Sequence, residues 1–354
     1  MRILQRGFRV KTGGLCVALC AGLGLALAPA AAQESFYQGK TVRVIVTTTP
    51  GGGFDFYARL FARHLPRYIP GHPRMIVQNM PGGGGIVGVN YVFNIAKPDG
   101  LTISHLQWDA PQKEFLGAPG VKYRSMEFEW LGLANSSVIT IAVRPDAPVK
   151  TLQEWLNPKT PKLIFGCTAV GSLPCDMVLA LNDIFGPISD ITTGYLSLTL
   201  VRTALFRKEV DALTGWTWDS VKAVGLELLQ KGDLKLLAYV GQSRHPELDS
   251  RNVPYLNDHV KKAEDRALLD ILAMPATMVR PWAAPPGTPK DRVEVLRKAF
   301  LDVTKDPEFL KEAEKLRAEI SPKGGQWVEE FLRKSKESLR PDVRSRARKI
   351  LGME

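Results

Sequence analysis

Twice in the first hundred residues a short run of β-branched and apolar residues gives way to a glycine-rich loop and then to a helical pattern. This repeat limits the fold more than any other feature of the chain. The stretch 41–46 (TVRVIV) reads as a buried strand, and TTTPGGG over 47–53 breaks it. From Asp55 onward Tyr57, Leu60, Phe61 and Leu65 fall on one helical face, with Asp55 suited to the N-cap. The unit recurs as a strand at 74–78, the loop NMPGGGG at 79–85 and a helix over 86–95. KPDG at 97–100 then turns the chain into a third strand at 101–106. Strand, helix, strand, helix, strand is the start of an open parallel sheet.

A second set follows. Strands are expected at 139–143, 162–166, 210–213 and 234–240, and helices at 175–185 and 199–207. Thr151 and Glu154 form a capping box for a helix that opens at 151–155. Further on, the chain gives an apolar stretch at 268–273 and the loop APPGTP at 284–289. Helices are then expected from 290 to about 303, from Asp306-Pro307, and over 326–336, so the bulk is α/β with a helical C-terminus.

A strand that ends in glycines and opens a helix suits an anion. The helix amino end presents free N–H groups and about half a positive charge. Glycine lets a carboxylate or phosphate approach the backbone closely. The loops 50–55 and 81–85 follow successive strands, so they are expected side by side at the carboxyl edge of one sheet, where open α/β sheets bind ligands. Tight turns without a ligand are the plainer alternative.

At 354 residues, 45% hydrophobic and 23% charged, the chain is globular and long enough for two domains. Its formal charge of +11 is concentrated at the ends. Arg2, Arg6, Arg9 and Lys11 precede any acid, and 333–349 hold eight Lys/Arg against Glu337 and Asp342. The remainder is near neutral, which argues against a broad nucleic-acid surface.

That basic start, an apolar run over 15–28 and Ala30-Ala31-Ala32 have the order of a cleaved export signal, placed at 1–32. A membrane anchor is the alternative. The run is short of the about 20 residues a span needs, and Gly22, Gly24 and Pro29 punctuate it. Cys16 and Cys20 follow leucines rather than small residues, which argues against lipid attachment. The mature chain is expected to be soluble and exported.

Only Cys167 and Cys175 remain after such a cut. In an oxidising compartment they are a candidate disulfide across the CTAVGSLPC loop, with two separate half-buried thiols as the alternative. Two thiols make no tetrahedral zinc site, and the five histidines form no HExxH pattern, so neither metal nor cofactor is expected. Neither glycine loop has the Lys-Ser/Thr of a P-loop, and Gly82 to Gly85 followed by Gly88 only loosely imitates a dinucleotide fingerprint. An exported hydrolase would need Ser172 or Ser104, but no Gly-x-Ser-x-Gly elbow is present, and His105 at a strand end suits a core position. Catalysis is not expected.

The run GKTVRVIVTTTPGGGFDFYARLFARHL, followed by VQNMPGGGGIVGVNYVFNIAKPDGLTI, resembles the solute-binding proteins of tripartite tricarboxylate transporters, the TctC-like Bug family. The family's Pro-Gly-Gly-Gly-x-Asp loop, Pro-Gly-x-Gly-Gly loop and Pro-Asp-Gly turn stand in order at 50–55, 81–85 and 98–100. Later pieces agree: Phe165-Gly166 with Gly171-Ser172, Glu209-Val210-Asp211, and the 284–289 loop. The similarity covers about 36 to 335, nearly all of the mature chain.

The resemblance implies a two-lobe, Venus-flytrap periplasmic binding protein of type II-like α/β fold. Each lobe would be a mainly parallel sheet flanked by helices, with two crossing strands as the hinge. Lobe 1 would take 33–140 plus 241–354, and lobe 2 would take 141–240. It also implies a monomer that hands a small carboxylate to the membrane subunits of a transporter; a periplasmic sensor for a signalling partner is the alternative use. Ligand contact is expected from Thr48, Pro50, Gly51, Gly52, Gly53, Phe54 and Asp55 in the first loop, and from Met80, Gly82, Gly83, Gly84 and Gly85 in the second. In the second lobe Thr168, Gly171 and Ser172 are expected to contribute.

Three positions depart from the family pattern. Phe54 stands where the family usually has Thr or Ser, Cys175 stands where its second-lobe loop has His, and Gly194-Tyr195-Leu196-Ser197 replaces Tyr-x-Gly-Gly. With Trp108, Tyr195, Trp216 and Trp218 at expected loop positions, an aromatic or apolar-tailed carboxylate is favoured; ordinary packing of these rings is the alternative. The basic run 333–349 is expected to be a solvated helix face, with contact to a membrane or transporter subunit as the alternative.

Overall fold

The computed structural model describes residues 36–353 apart from Gly52. The expected export segment 1–32, with Cys16 and Cys20, and the loop residue Gly52 therefore lie outside the described residues. The first sheet begins with β1 (Thr41–Val46), β2 (Arg74–Asn79), β3 (Thr102–His105) and β4 (Glu129–Leu133). The second takes β5 (Ile139–Val143), β6 (Leu163–Gly166), β7 (Ser189–Thr192), β8 (Ala212–Thr217) and β9 (Lys235–Val240). The chain then returns to the first sheet with β10 (Pro281–Ala284) and β11 (Lys323–Gly324). Across the first sheet the order is β11-β4-β10-β3-β1-β2, and across the second β7-β6-β8-β5-β9.

Helices α1 (Gly53–His64), α2 (Ile86–Asn94) and α3 (Ala110–Leu116) follow the first three strands. Around the second sheet come α4 (Leu152–Trp155), α5 (Leu173–Phe185), α6 (Leu198–Phe206), α7 (Trp218–Val224) and α8 (Leu226–Lys231). The return passage carries α9 (Pro246–Ser250) and α10 (Ala263–Thr277), and α11 (Lys290–Val303), α12 (Pro307–Lys315), α13 (Gly325–Ser338) and α14 (Pro341–Ile350) complete the chain. No helix among the described residues is long and apolar enough to cross a membrane.

The expected strand–loop–helix repeats form the parallel set β2-β1-β3, in register from Thr41 opposite Arg74 to Val46 opposite Asn79. Antiparallel strands extend it, because β10 enters between β3 and β4 and runs against both. In the second sheet β7-β6-β8 are parallel while β5 runs against β8 and β9, so both sheets are mixed. Val42, Val44, Ile45 and Val46 of β1 are all fully buried, as expected of a β-branched strand covered on both faces. On one side Phe61 packs 5.0 Å from Trp282, 5.2 Å from Phe300 and 4.9 Å from Phe309 between ring centres.

Between the sheets α10 is buried along most of its length and packs on α5, α3 and α14. One apolar cluster therefore runs from Val89 and Phe115 through Leu268 and Leu272 to Met177 and Leu181. Cys167 and Cys175 form a disulfide with Cα atoms 5.4 Å apart, tying the end of β6 to the first turn of α5. Of the two readings left open for these cysteines, the bond is the one found.

The basic C-terminal run is mostly neutralised rather than free. Arg333 pairs with Glu330 and Glu337, Lys334 with Glu330, and Arg340 with Asp342. Arg346 of α14 bonds Asp183 of α5 and Asp265 of α10, while Arg348 donates to the carbonyls of Leu116 and Gly117 at the end of α3.

Candidate functional site

Both glycine loops open at the carboxyl edge of the first sheet, side by side. Their junction is tight: Met80 N–H donates to the Val46 carbonyl at 2.7 Å, and a Cβ on Gly88 would fall 2.7 Å from the Met80 carbonyl oxygen. In the first loop the Thr48 carbonyl accepts from the Asn79 amide at 3.0 Å, and Pro50 and Gly51 form an exposed turn with Gly51 at φ 81°. Helix α1 begins at Gly53, so Asp55 lies inside its first turn rather than at the cap. Its buried carboxylate reaches back to accept from Gly51 N–H at 2.9 Å and forward to Arg59 at 2.9 Å. The Arg59 bond and the Gly51 bond hold the Asp55 carboxyl down at about 2 despite its burial.

The second loop places Gly82, Gly83, Gly84 and Gly85 consecutively at positive φ, a path that only glycine follows without strain. A Cβ on Gly85 would sit 2.8 Å from that of Gln107. Lys113 donates to the Gly84 carbonyl at 2.7 Å and pairs with Asp109 at 2.9 Å, so a cation is fixed beside this loop.

Phe54 changes what the first loop presents. Its ring packs 4.8 Å from the His105 imidazole and 6.5 Å from Trp108, and the Arg280 guanidinium lies 4.9 Å from its centre. His105 itself is wholly buried, stacked on Trp282 at 4.9 Å, with Nδ1 at 2.9 Å from the Phe54 carbonyl. Burial, reinforced by Arg280, holds its pKa well below the ordinary value, so it is neutral and structural. Arg280 also lies over Tyr57 at 4.7 Å, and a Cβ on Gly53 would come within 3.0 Å of its guanidinium nitrogen. It stands across the start of α1.

The cleft between the sheets holds a cavity of about 260 Å³. Trp108, Val279 and Arg280 wall it from the first sheet's side, and Leu198, Thr199, Arg202, Gly215, Trp216, Thr217, Ser220 and Val224 from the second's. No acid among the described residues lines it. Arg202 lies over the Trp216 ring at 4.8 Å and reaches the Thr199 hydroxyl at 3.3 Å. A larger hollow of about 440 Å³ sits at the passage between the sheets, lined in part by Ser136, Gln242, Arg244 and Trp327; Arg244 there is already paired with Asp249 and Asp258.

Of the residues expected to meet a ligand, Trp108 and Trp216 line the cleft cavity, and Phe54 adjoins it through Trp108 and Arg280. Thr168, Gly171 and Ser172 form a self-bonded turn: Thr168 donates to the Ser172 hydroxyl at 2.9 Å, Ser172 to the Ala169 carbonyl at 2.5 Å, and Gly171 N–H to Asp176 at 2.8 Å. Tyr195 is half-buried against Gly166. Trp218 is fully buried, its indole N–H on Glu247 at 2.7 Å, and belongs to the second sheet's core. Ser104 is equally closed off, donating to the Ile45 carbonyl at 2.9 Å. Neither serine hydroxyl is bonded to a histidine among the described residues, and no group of three metal-ligating side chains stands together there.

Sequence reasoning passed over Arg202 and Arg280. Arg202 sits in an expected helix between buried Val201 and Leu205, and Arg280 is the lone charge in the apolar run 278–284. A single cation in an otherwise apolar segment was the available signal.

A sequence model of the tripartite tricarboxylate transporter family receptor matches residues 71–340. A UPF0065 protein of Cupriavidus necator is 29% identical over 156 residues, 43% of this chain and 45% of that protein. Among solved structures, a TctC solute-binding protein from Polaromonas aligns with a TM-score of 0.67 at 21% identity, covering 90% of this chain and 100% of that one. MatC from Rhodopseudomonas palustris, with bound malate, aligns at 0.58 and 20% identity over 88% of this chain and 99% of that one.

Proposed function

The chain belongs to the tripartite tricarboxylate transporter receptor family, and from that premise we propose that it captures a small carboxylate between its two sheets for the membrane subunits of such a transporter. It is a solute-binding receptor, not an enzyme. The observation that carries the ligand reading is the cleft cavity, walled from both sheets and carrying cationic side chains without an acid among its described lining. The malate held by the R. palustris protein supports the same ligand class. In this reading lobe 1 is 33–140 with 241–354 and lobe 2 is 141–240, the monomer works in the periplasm, and closure of the lobes buries the ligand. The glycine loops supply backbone N–H groups at two helix amino ends, and Trp108 and Trp216 accommodate an aromatic or apolar tail.

A thermal-shift screen of the ligand-stripped mature protein against aliphatic and aromatic carboxylates tests the proposal. A ligand at about 1,000 times its Kd stabilises by about 4 kcal/mol, which at about 2–4 °C per kcal/mol is a clear rise in Tm. A flat response across the whole panel would refute the carboxylate.

A further inference from the structure

We propose that the hollow at the passage between the sheets is a second small-molecule site, one that takes an aromatic ring carrying a single anionic group. Its volume of about 440 Å³ lies in the range of small-ligand pockets, and it shares no lining residue with the cleft cavity. The chain itself keeps the two apart. Where β4 ends, Ala134 N–H donates to the Arg280 carbonyl at 3.0 Å, and the Ala134 carbonyl accepts from Ser321 N–H at 3.1 Å. Arg280 thus flanks this passage on the side of β10 and Ser321 on the side of β11, as the strand order β11-β4-β10 requires. The cleft cavity lies with Arg280; the hollow lies with Lys323, just past Ser321.

The aromatic part of the site follows from how α13 begins. Gly325 opens that helix hard against β4, where an added Cβ would fall 1.9 Å from the Trp130 carbonyl oxygen. Val328 and Leu332 face inward and are fully buried, which leaves Trp327 and Phe331 on the outer side. Their rings stack at 5.2 Å with planes 9° apart, and Trp327 remains 38% exposed. Lys323 places its Nζ 5.6 Å from the centre of the Trp327 ring and pairs with no acid among the described residues. A flat anion laid against the indole would meet both the ring and an uncompensated cation.

The rest of the wall offers hydrogen bonds and no competing negative charge. No acid among the described residues lines the hollow. Thr277 is 9% exposed, and its hydroxyl and that of Ser136 line the hollow without a partner among the described residues. Arg244 is matched to Asp249 and Asp258, and burial holds the His245 pKa below its ordinary value, so neither adds a second free charge. One unpaired cation therefore suits one anionic group. Helix α10 fixes the wall: Ser137 N–H donates to the Ala276 carbonyl at 3.0 Å, and the Gln242 amide to that of Asp270 at 3.2 Å. Both chain passages between the sheets are thus tied to one buried helix, and the hollow is formed without a ligand.

The test is calorimetric titration of the mature protein with benzenesulfonate and 2-naphthalenesulfonate, with the neutral sulfonamide of each and cyclohexanesulfonate as controls. At least one aromatic sulfonate is expected to bind, about tenfold or more tighter than its sulfonamide and than cyclohexanesulfonate. Trp327→Ala and Lys323→Gln are each expected to weaken it about tenfold or more, and Arg280→Ala to leave it unchanged. Lys323 is exposed and holds no ion pair, so its variant reads binding even where Trp327→Ala lowers Tm. Binding that persists in Lys323→Gln, equal binding of sulfonate and sulfonamide, or no binding of either aromatic sulfonate would overturn the inference. Binding lost in Arg280→Ala but kept in both other variants would put the sulfonate in the cleft; this inference would then fall while the carboxylate reading stood.

Discussion

The guanidinium of Arg280 stands 4.9 Å from the centre of the Phe54 ring, and a Cβ on the preceding Gly53 would meet its nitrogen at 3.0 Å. The cation thus lies where α1 begins, beside the helix end that already favours an anion. A benzyl group in the first loop and an arginine before β10 are two halves of one arrangement, because the aromatic ring lies against the charge.

Arg280→Ala is accordingly expected to weaken every carboxylate ligand, with one anionic group or two, by about 10–100-fold, or about 1.5–3 kcal/mol. Titration of the variant with any acid that stabilises the wild type checks this. Unchanged affinity would return the anion to the loop N–H groups.

Asp55→Ala removes the acceptor that joins Gly51 N–H to Arg59. By analogy with lost helix caps it is expected to cost about 0.5–2 kcal/mol. In the folded chain this carboxyl titrates at about 2, below the roughly 4 of an unfolded aspartate, so the stability it adds is present above pH 4 and is lost as pH falls towards 2. Acid melts of the variant should lack that component; identical acid profiles would show that Asp55 contributes nothing.

Asp176 has the opposite sign. Burial pushes its carboxyl up to about 7, against the pull of the Gly171 N–H, and nearby Asp109 adds to the rise. An unfolded aspartate releases its proton near pH 4. Between about pH 4 and 7 the folded state therefore holds more protons, and stability falls as pH rises through that window. Asp176→Asn keeps an acceptor for Gly171 and removes the charge. Its Tm is expected to exceed the wild type's at pH 8 and to match it closely near pH 4.5; a variant that is less stable at both would contradict the assignment.

Reduction of the Cys167–Cys175 bond, or Cys167→Ser with Cys175→Ser, opens a loop with a sequence separation of 8. For a closure that short the expected loss is about 2–3 kcal/mol. Chemical denaturation with and without dithiothreitol measures it, and coincident curves would mean that the surrounding packing alone fixes the turn.

The units β1–α1 and β2–α2 were legible because strand period, glycine break and helical face change in one direction along the chain. The glycine loops were legible for the same reason. Strand β10 was not: Pro281-Trp282-Ala283-Ala284 is short and shows no alternation, and its pairing with β3 and β4 is entirely non-local. Strand β4 hid similarly behind Gly132. The cavity itself was out of reach because Arg202 and Arg280 meet only through the packing of two sheets, and neither lies in a motif. Trp108, Trp216 and Trp218 look alike in the sequence, yet only the first two reach the cavity; the turn of α7 carries Trp218 into the core.

The position of β10 has a consequence for how the chain is made. Strands β3 and β4 are synthesised early, but they do not touch; the strand that joins them comes only after the whole second sheet. Until it arrives each keeps an open edge, and the contacts that complete the sheet are distant in sequence and slow to form. The first sheet is therefore begun by one end of the polypeptide and finished by the other, and its strand order is complete only once residues 281–284 and 323–324 are in place.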